Sequence, residues 1–206
     1  LLPRGDGRLE AERAWQAFGA KRGVHVAVLR LAGIYGPGQN ALTSLQQGTA
    51  KRIAKPGQVF NRIHVGDITQ AIDAALARRA DGVFNVADDE PSPQGDPIVF
   101  AAALLGIAPP PEIPFAQARK TLSPMALGFY GECKRVRNDK LKRELGVTLR
   151  YPTYREGLRA LYAEMIASSN SSSSSPGRRE AASPGDRDHA GKAAPTSARS
   201  PGQARR

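Results

Sequence analysis

The sequence predicts an α/β fold. Three features carry that expectation: short apolar runs rich in β-branched residues, stretches of helical periodicity between them, and a Gly/Pro-rich turn leaving the end of one such run. With 206 residues, 40% of them hydrophobic, the chain can bury one core of ordinary size and carry an appendage.

The first helix is "RLEAERAWQAFGAKRG", in which Ala11, Ala14, Trp15 and Phe18 recur at helical spacing and Gly23 follows Lys21 and Arg22 as a stop. "VHVAVLRL" then reads as a strand. Val24, Val26 and Val28 share one face and Ala27 and Leu29 the other, the pattern of a covered parallel strand. "GQVFNRIHVGDITQAIDAALAR" predicts a short strand, a turn and a helix with Ile68, Ile72, Ala75 and Leu76 as its buried stripe and Asp67 as its N-cap. "GVFNVA" is a further strand, and "PIVFAAALLG" a helix with Pro97 in its first turn and Gly106 at its end. "KLKRELG" and "YPTYREGLRALYAEMI" predict two more helices, the second from about Thr153.

A compositional break falls at Ile166. Residues 167–206 are Ser, Pro, Gly, Ala and Arg with little to bury, so a disordered tail is expected there. The formal charge of +11 divides between both parts: 23 Lys or Arg against 16 Asp or Glu in residues 1–166, and seven against three beyond. Aromatics are 6% of the chain and none interleave with a basic stretch, which speaks against a nucleic-acid partner. No apolar stretch approaches the roughly 20 residues that span a bilayer. A single cysteine, Cys133, has neither a disulfide partner nor a second metal-ligand residue at finger spacing. No leader pattern opens the sequence at Leu1, and a cytoplasmic setting without a bound metal is the expectation.

The turn "RLAGIYGPG", residues 30–38, is not a phosphate grip. Gly33, Gly36 and Gly38 fit neither G-x-G-x-x-G nor the P-loop spacing, Pro37 removes a backbone donor, and no lysine follows. It does leave the end of a strand, where open α/β sheets bind their ligands.

These residues resemble a family. "RLAGIYGPG" is similar to the R-x-x-x-[IV]-Y-G-P-G segment of extended short-chain dehydrogenases/reductases, the NAD-dependent epimerase/dehydratase group. "RIHVGDITQAI" and "GVFNVADDE" resemble that group's I-H-V-x-D-[IL] and [VY]-[FY]-N-[VI]-[AG] segments, in the same order. With "SPMALGFYGECKRVRNDKLKRELGVTLRYPTYREGL", the order is similar to an atypical branch of NAD(P)-dependent oxidoreductases. The resemblance covers residues 1–166 and implies the C-terminal portion of a Rossmann-type doubly wound sheet with a small α/β substrate-side region. It implies NAD or NADP as cofactor, a sugar-like or nucleotide-linked small-molecule substrate, and an assembly that can be a homodimer.

Two departures accompany it. The Gly-rich dinucleotide motif is missing from the sequence, and the family's Tyr-x-x-x-Lys is replaced by Arg4 and Arg8 when Glu12 is aligned with the motif's glutamate. An arginine stays charged and cannot be a general base, so no catalytic residue is assigned, although Arg8 can contact a ribose or phosphate. The resemblance puts the Tyr35-Gly36-Pro37 loop beside the nicotinamide; the residues alone equally allow a turn with the Tyr35 ring packed beneath it. It puts Arg62 and His64 on the substrate side, with Phe60 standing where nucleotide-sugar members carry arginine. His64 also reads as a hydrogen-bonded core residue, and Arg30 as one half of a structural ion pair. A different class of function, a non-catalytic α/β module whose basic tail recruits an acidic partner, fits the same composition.

A sheet without its first strands leaves an edge unpaired. Expressed alone, the chain is expected to aggregate or fold partially, and a monodisperse, cooperatively melting sample in light scattering and calorimetry would contradict this.

Overall fold

The computed structural model describes residues 4–172. Eight helices and six strands are found there: α1 (Arg4–Arg22), β1 (Ala27–Leu31), β2 (Gly33–Tyr35), α2 (Ala41–Gln46), β3 (Arg52–Ala54), β4 (Arg62–His64), α3 (Val65–Ala77), β5 (Gly82–Val86), α4 (Asp96–Leu105), β6 (Glu112–Pro114), α5 (Phe115–Ala118), α6 (Pro124–Gly131), α7 (Asp139–Leu145) and α8 (Tyr154–Ser172). All pairing between strands is parallel: β1 with β5, β2 with β4 and β3 with β6. The α/β class is therefore as expected, although the sheet is divided into pairs and β2, β3 and β6 are too short to announce themselves by alternation. α8 runs to Ser172, six residues past the compositional break; the rest of the segment expected to be a disordered tail lies outside the described residues.

The main core lies between β4, β5, α3 and α7. Ile63, Phe84, Val86, Leu141 and Leu145 are almost completely buried there, with Ile68, Ala71 and Ala75 from α3 against them. A second cluster joins Tyr35 and Leu42 to Ala101 of α4 and Tyr154, Leu158 and Leu161 of α8. A third gathers Ile53, Ala118 and Tyr130.

Of two expected apolar stripes, that of α3 is half covered and that of α1 is exposed throughout. In α3, Ile68 and Ala75 are buried, but Ile72 and Leu76 are exposed, Leu76 by 72%. In α1, Trp15 is 62% exposed, and Phe18 is exposed beside it in an edge-to-face pair. The physical reason is shared. Among the described residues β1 has a partner on one edge alone, and the apolar sides of α1 and α3 that flank its open edge meet no further element. Periodicity marks which face is apolar, not what lies opposite. The strand is also shorter than its apolar run: β1 begins at Ala27, and Val24 remains exposed. Arg30 forms the ion pair expected of it, with Glu12 of α1 at 2.6 Å, a surface pair worth roughly 0.2–1 kcal/mol.

Asp67 is not the cap of α3. His64 caps that helix, its Nδ1 accepting from the Gly66 amide at 3.0 Å. Asp67 is fully buried, and its two carboxylate oxygens accept from the amides of Arg150 at 2.7 Å and Tyr151 at 3.0 Å, with Gln70 Nε2 as a third donor at 2.7 Å. A buried carboxylate that takes backbone donors from more than 80 residues away ties the loop before α8 to the start of α3.

Replacing it by alanine strands two part-buried amides, each at up to about 1–3 kcal/mol. Asp67→Ala is expected to lower the urea midpoint with little change in slope, and Asp67→Asn, which keeps one acceptor oxygen, to lower it less.

Candidate functional site

The site is assembled at the C-terminal ends of β2, β4 and β5, where parallel strands present their ligands. Gly33 lies beside Arg62 and Tyr35 beside His64 in the β2–β4 register, so these four residues share one face of the pair. On that face a cavity of about 490 Å³ is lined by Tyr35, Arg62, Ser44, Lys51 and Phe60, with Tyr154 and Leu158 of α8 closing one side.

Arg62 dominates this cavity. Its Nη1 donates to Ser92 Oγ at 2.7 Å and to the Phe60 carbonyl at 3.1 Å, and its Nη2 to the Pro93 carbonyl at 3.2 Å. These acceptors are neutral. No carboxylate lies within ion-pair distance of Arg62 among the described residues, so a half-buried guanidinium faces the cavity with its charge unpaired. Burial pulls its pKa below the usual arginine range, and the charge of Asp88 opposes that shift.

Asp88 follows β5 and carries no local sequence signal beyond its position after a buried strand. It is 2% exposed, its amide donates to the Arg62 carbonyl at 2.7 Å, and its Oδ1 accepts from the Glu90 amide at 3.3 Å. Its Oδ2 is buried without a hydrogen-bond partner among the described residues. Burial pushes this carboxyl up to about 7.

Of the residues expected at the site, Arg62, Tyr35, Pro37 and Arg8 are divided among three cavities, and Gly36 and His64 line none of the three. Tyr35 lines the Arg62 cavity, but its ring is buried under α8: a Cβ placed on Gly157 would lie 2.1 Å from the Tyr35 hydroxyl. Gly36 exchanges both backbone hydrogen bonds with Gln39, and Gly38 takes the left-handed conformation at φ +76, which builds a tight turn into α2. Asn40 caps α2 and donates to the Gly36 carbonyl at 2.8 Å. Pro37 lines a smaller cavity with Leu161 and Met165. Arg8 is exposed in a groove of about 1160 Å³ between α1 and β1, together with Trp15 and Arg30. Ile34 belongs to the walls of both this groove and the Arg62 cavity, so the two adjoin. Arg4 opens α1, four residues before Arg8.

His64 lines none of these cavities. Its ring lies edge-on to Tyr35 at 5.1 Å and 4.0 Å from the Tyr151 ring, which is the core position that its residue type alone allowed. Burial holds its pKa below the usual histidine range. With Nδ1 accepting from Gly66, the proton of the neutral ring sits on Nε2, which is buried without a hydrogen-bond partner among the described residues.

A further cavity of about 430 Å³ shares Ile53, Phe60 and Gln94 with the Arg62 cavity and adds Arg52, Lys55 and Arg135. Lys55 donates to the Tyr130 carbonyl and to Gln58 Oε1, and Arg52 is paired with Glu112 at 3.2 Å. The combined groove carries Lys51, Arg52, Lys55, Arg62 and Arg135 against the carboxylates of Asp96 and Glu112, an excess of positive charge. Among the described residues no group of His, Cys, Asp and Glu is arranged to hold a metal ion, and no helix is long and apolar enough to cross a membrane.

This architecture defines a Rossmann-type α/β protein with its ligand groove at the strand ends. No family model matches the sequence. The structure is similar to a conserved protein of unknown function from Silicibacter pomeroyi, with TM-score 0.73 and 52% identity over 80% of this chain and 57% of that one. It shares its fold with the NAD complex of UDP-glucose 4-epimerase from Thermus thermophilus, with TM-score 0.57 and 22% identity over 75% of this chain and 51% of that one. In sequence it is 31% identical over 139 residues to a 3-diazoavenalumate denitrifying reductase from Streptomyces, covering 64% of this chain and 45% of the relative. The chain spans about half the length of these proteins. The same fold is shared with dTDP-glucose 4,6-dehydratases from Bacillus anthracis and Streptomyces venezuelae, at 20% and 18% identity and TM-score 0.57 each.

The raised Asp88 pKa has a consequence for stability. Between the unfolded value near 3.9 and about 7, the folded chain holds a proton that the unfolded chain releases, so the Asp88 contribution is present at low pH and lost as pH rises through 7. Asp88→Asn removes this dependence. In urea titrations its stability relative to the unsubstituted chain is expected to rise from near zero at pH 4 to a gain on the order of 3 kcal/mol at pH 8.

Proposed function

We propose that the chain is the substrate-side portion of an NAD(P)-dependent oxidoreductase, and that it takes an anionic, sugar-like or nucleotide-linked small molecule into the Arg62 cavity. The unpaired Arg62 guanidinium carries this reading. A cation removed from water without a carboxylate partner is costly, and an anionic ligand supplies the missing charge. The adjoining cavity with Arg52, Lys55 and Arg135 extends the groove for a second anionic or planar group.

The residues present do not make a complete dinucleotide site. Between β4 and α3 the helix terminus is occupied by the His64 cap, and between β5 and α4 lies a nine-residue connection with no glycine cradle. On this reading the pyrophosphate is gripped by residues other than those described, while the Arg8 groove, beside the Arg62 cavity at Ile34, lies along the cofactor's ribose. Tyr35 shapes the cavity wall with its ring, while the Gly36–Pro37 turn leads away from it into α2, Pro37 lining the smaller cavity. His64 supports that wall from behind. The guanidinium groups at positions 4 and 8 cannot accept a proton, so this portion contributes binding and orientation.

UDP is a suitable probe because it joins a planar base to adjacent phosphates. Titration calorimetry is expected to show Arg62→Met losing at least about tenfold in UDP affinity, or ~1.4 kcal/mol, with Arg62→Lys intermediate. Equal affinity of Arg62→Met and the unsubstituted chain would refute the assignment. NADH or NADPH added to the chain alone is expected to leave Trp15 emission without saturable quenching.

A further inference from the structure

Asp88, Asp89 and Glu90 are three consecutive acids at the end of β5, and the structure treats them differently. Asp89 is paired with Lys142 of α7 at 2.6 Å, and Glu90 with Arg155 of α8. Asp88 has no cation within ion-pair distance among the described residues, and it is the most deeply buried of the three. Its backbone is bonded to that of Arg62, the cation that faces the cavity from β4. The other charged or titratable groups around the two are Tyr35 of β2, Asp96 of α4, Tyr154 and Glu156 of α8, and Asp67 of α3. Of these, Asp67 is saturated by two amides and Gln70, and Glu156 is held by Thr153. Asp88 and Arg62 therefore balance each other through space while each lacks a partner of opposite charge in contact.

An anion that enters beside Arg62 places a second negative charge in the same poorly hydrated region as the Asp88 carboxylate. Repulsion between the two is weakly screened there. It is relieved if Asp88 takes a proton, and Oδ2 can receive one without breaking a bond, since only Oδ1 is engaged. We propose that an anionic ligand binds in the Arg62 cavity together with one proton taken up by Asp88, so that Asp88 sets the pH range over which the cavity accepts negative charge. This rests on the reading of the Arg62 cavity as an anion site. Asp88 is not in the wall of the Arg62 cavity and acts through Arg62; it is a positioning residue. Its carboxyl, raised to about 7 by burial, places the linkage near neutral pH.

Sulfate tests this, since it stays a dianion from about pH 6 to 8.5 and any pH dependence belongs to the protein. With the full 206-residue chain, sulfate affinity is expected to fall roughly fivefold between pH 6.5 and 8.5. Calorimetry at pH 7.5 in two non-anionic buffers of different ionisation enthalpy is expected to show net proton uptake on binding. Asp88→Asn should bind sulfate at pH 8.5 as tightly as the unsubstituted chain does at pH 6.5, with a flat profile and no uptake. Identical pH slopes for the two proteins would overturn the proposal. If Asp88→Asn does not fold, Asp88→Ser serves, and a flat profile without uptake in the unsubstituted chain overturns the proposal by itself. Arg62→Met separates the two readings. Undiminished sulfate binding by that variant defeats the anion site, whereas binding that needs Arg62 but ignores pH defeats the proton linkage alone.

Discussion

The architecture hangs on a buried carboxylate. Asp67 draws the amides of Arg150 and Tyr151 against the first turn of α3, and that contact decides where α8 begins. Tyr151 is thereby brought to the His64 ring, Tyr154 and Leu158 reach the mouth of the β2–β4 face, and the Arg62 cavity acquires its far wall. Apolar packing would hold α8 somewhere along this surface, because burial is nearly indifferent to direction. Two hydrogen bonds of defined geometry select one position.

The placement of charge separates scaffold from site. Arg30 and Glu12, Lys142 and Asp89, and Arg155 and Glu90 are satisfied in pairs at the periphery. Arg62 and Asp88 lie deeper and are held by backbone and hydroxyl groups instead of each other. Such an arrangement leaves electrostatic free energy in reserve in the groove, since each ion is partly desolvated without full compensation. It is the pattern found where a ligand completes the set of interactions.

How much of this is legible in the sequence follows the range of each interaction. β5, α4 and α7 are evident because their signals are local: a β-branched run, a proline in a first turn, a short charged helix ending at glycine. Asp67 reads as a cap because an acid in the first turn of a helix suffices for one, while its true partners lie 83 and 84 residues away. Arg62 is pointed to by the resemblance, through the Phe60 that stands where nucleotide-sugar members carry arginine. Asp88 is not, since burial and an empty lone pair leave no trace in composition. The exposure of Ile72, Leu76 and Trp15 is hidden for the opposite reason, their periodicity being that of a covered face.

Gly157 gives the last of these relations a practical form. The Tyr35 hydroxyl occupies the volume where any other residue at 157 would carry its Cβ. The aromatic ring in the second strand and the bare backbone in the last helix are a matched pair. In a sequence sharing this fold, a methyl group at 157 therefore implies a smaller side chain at 35 or a helix lifted from the strand ends. In the second case the groove beneath it is wider, so position 157 reports the room available on the β2–β4 face.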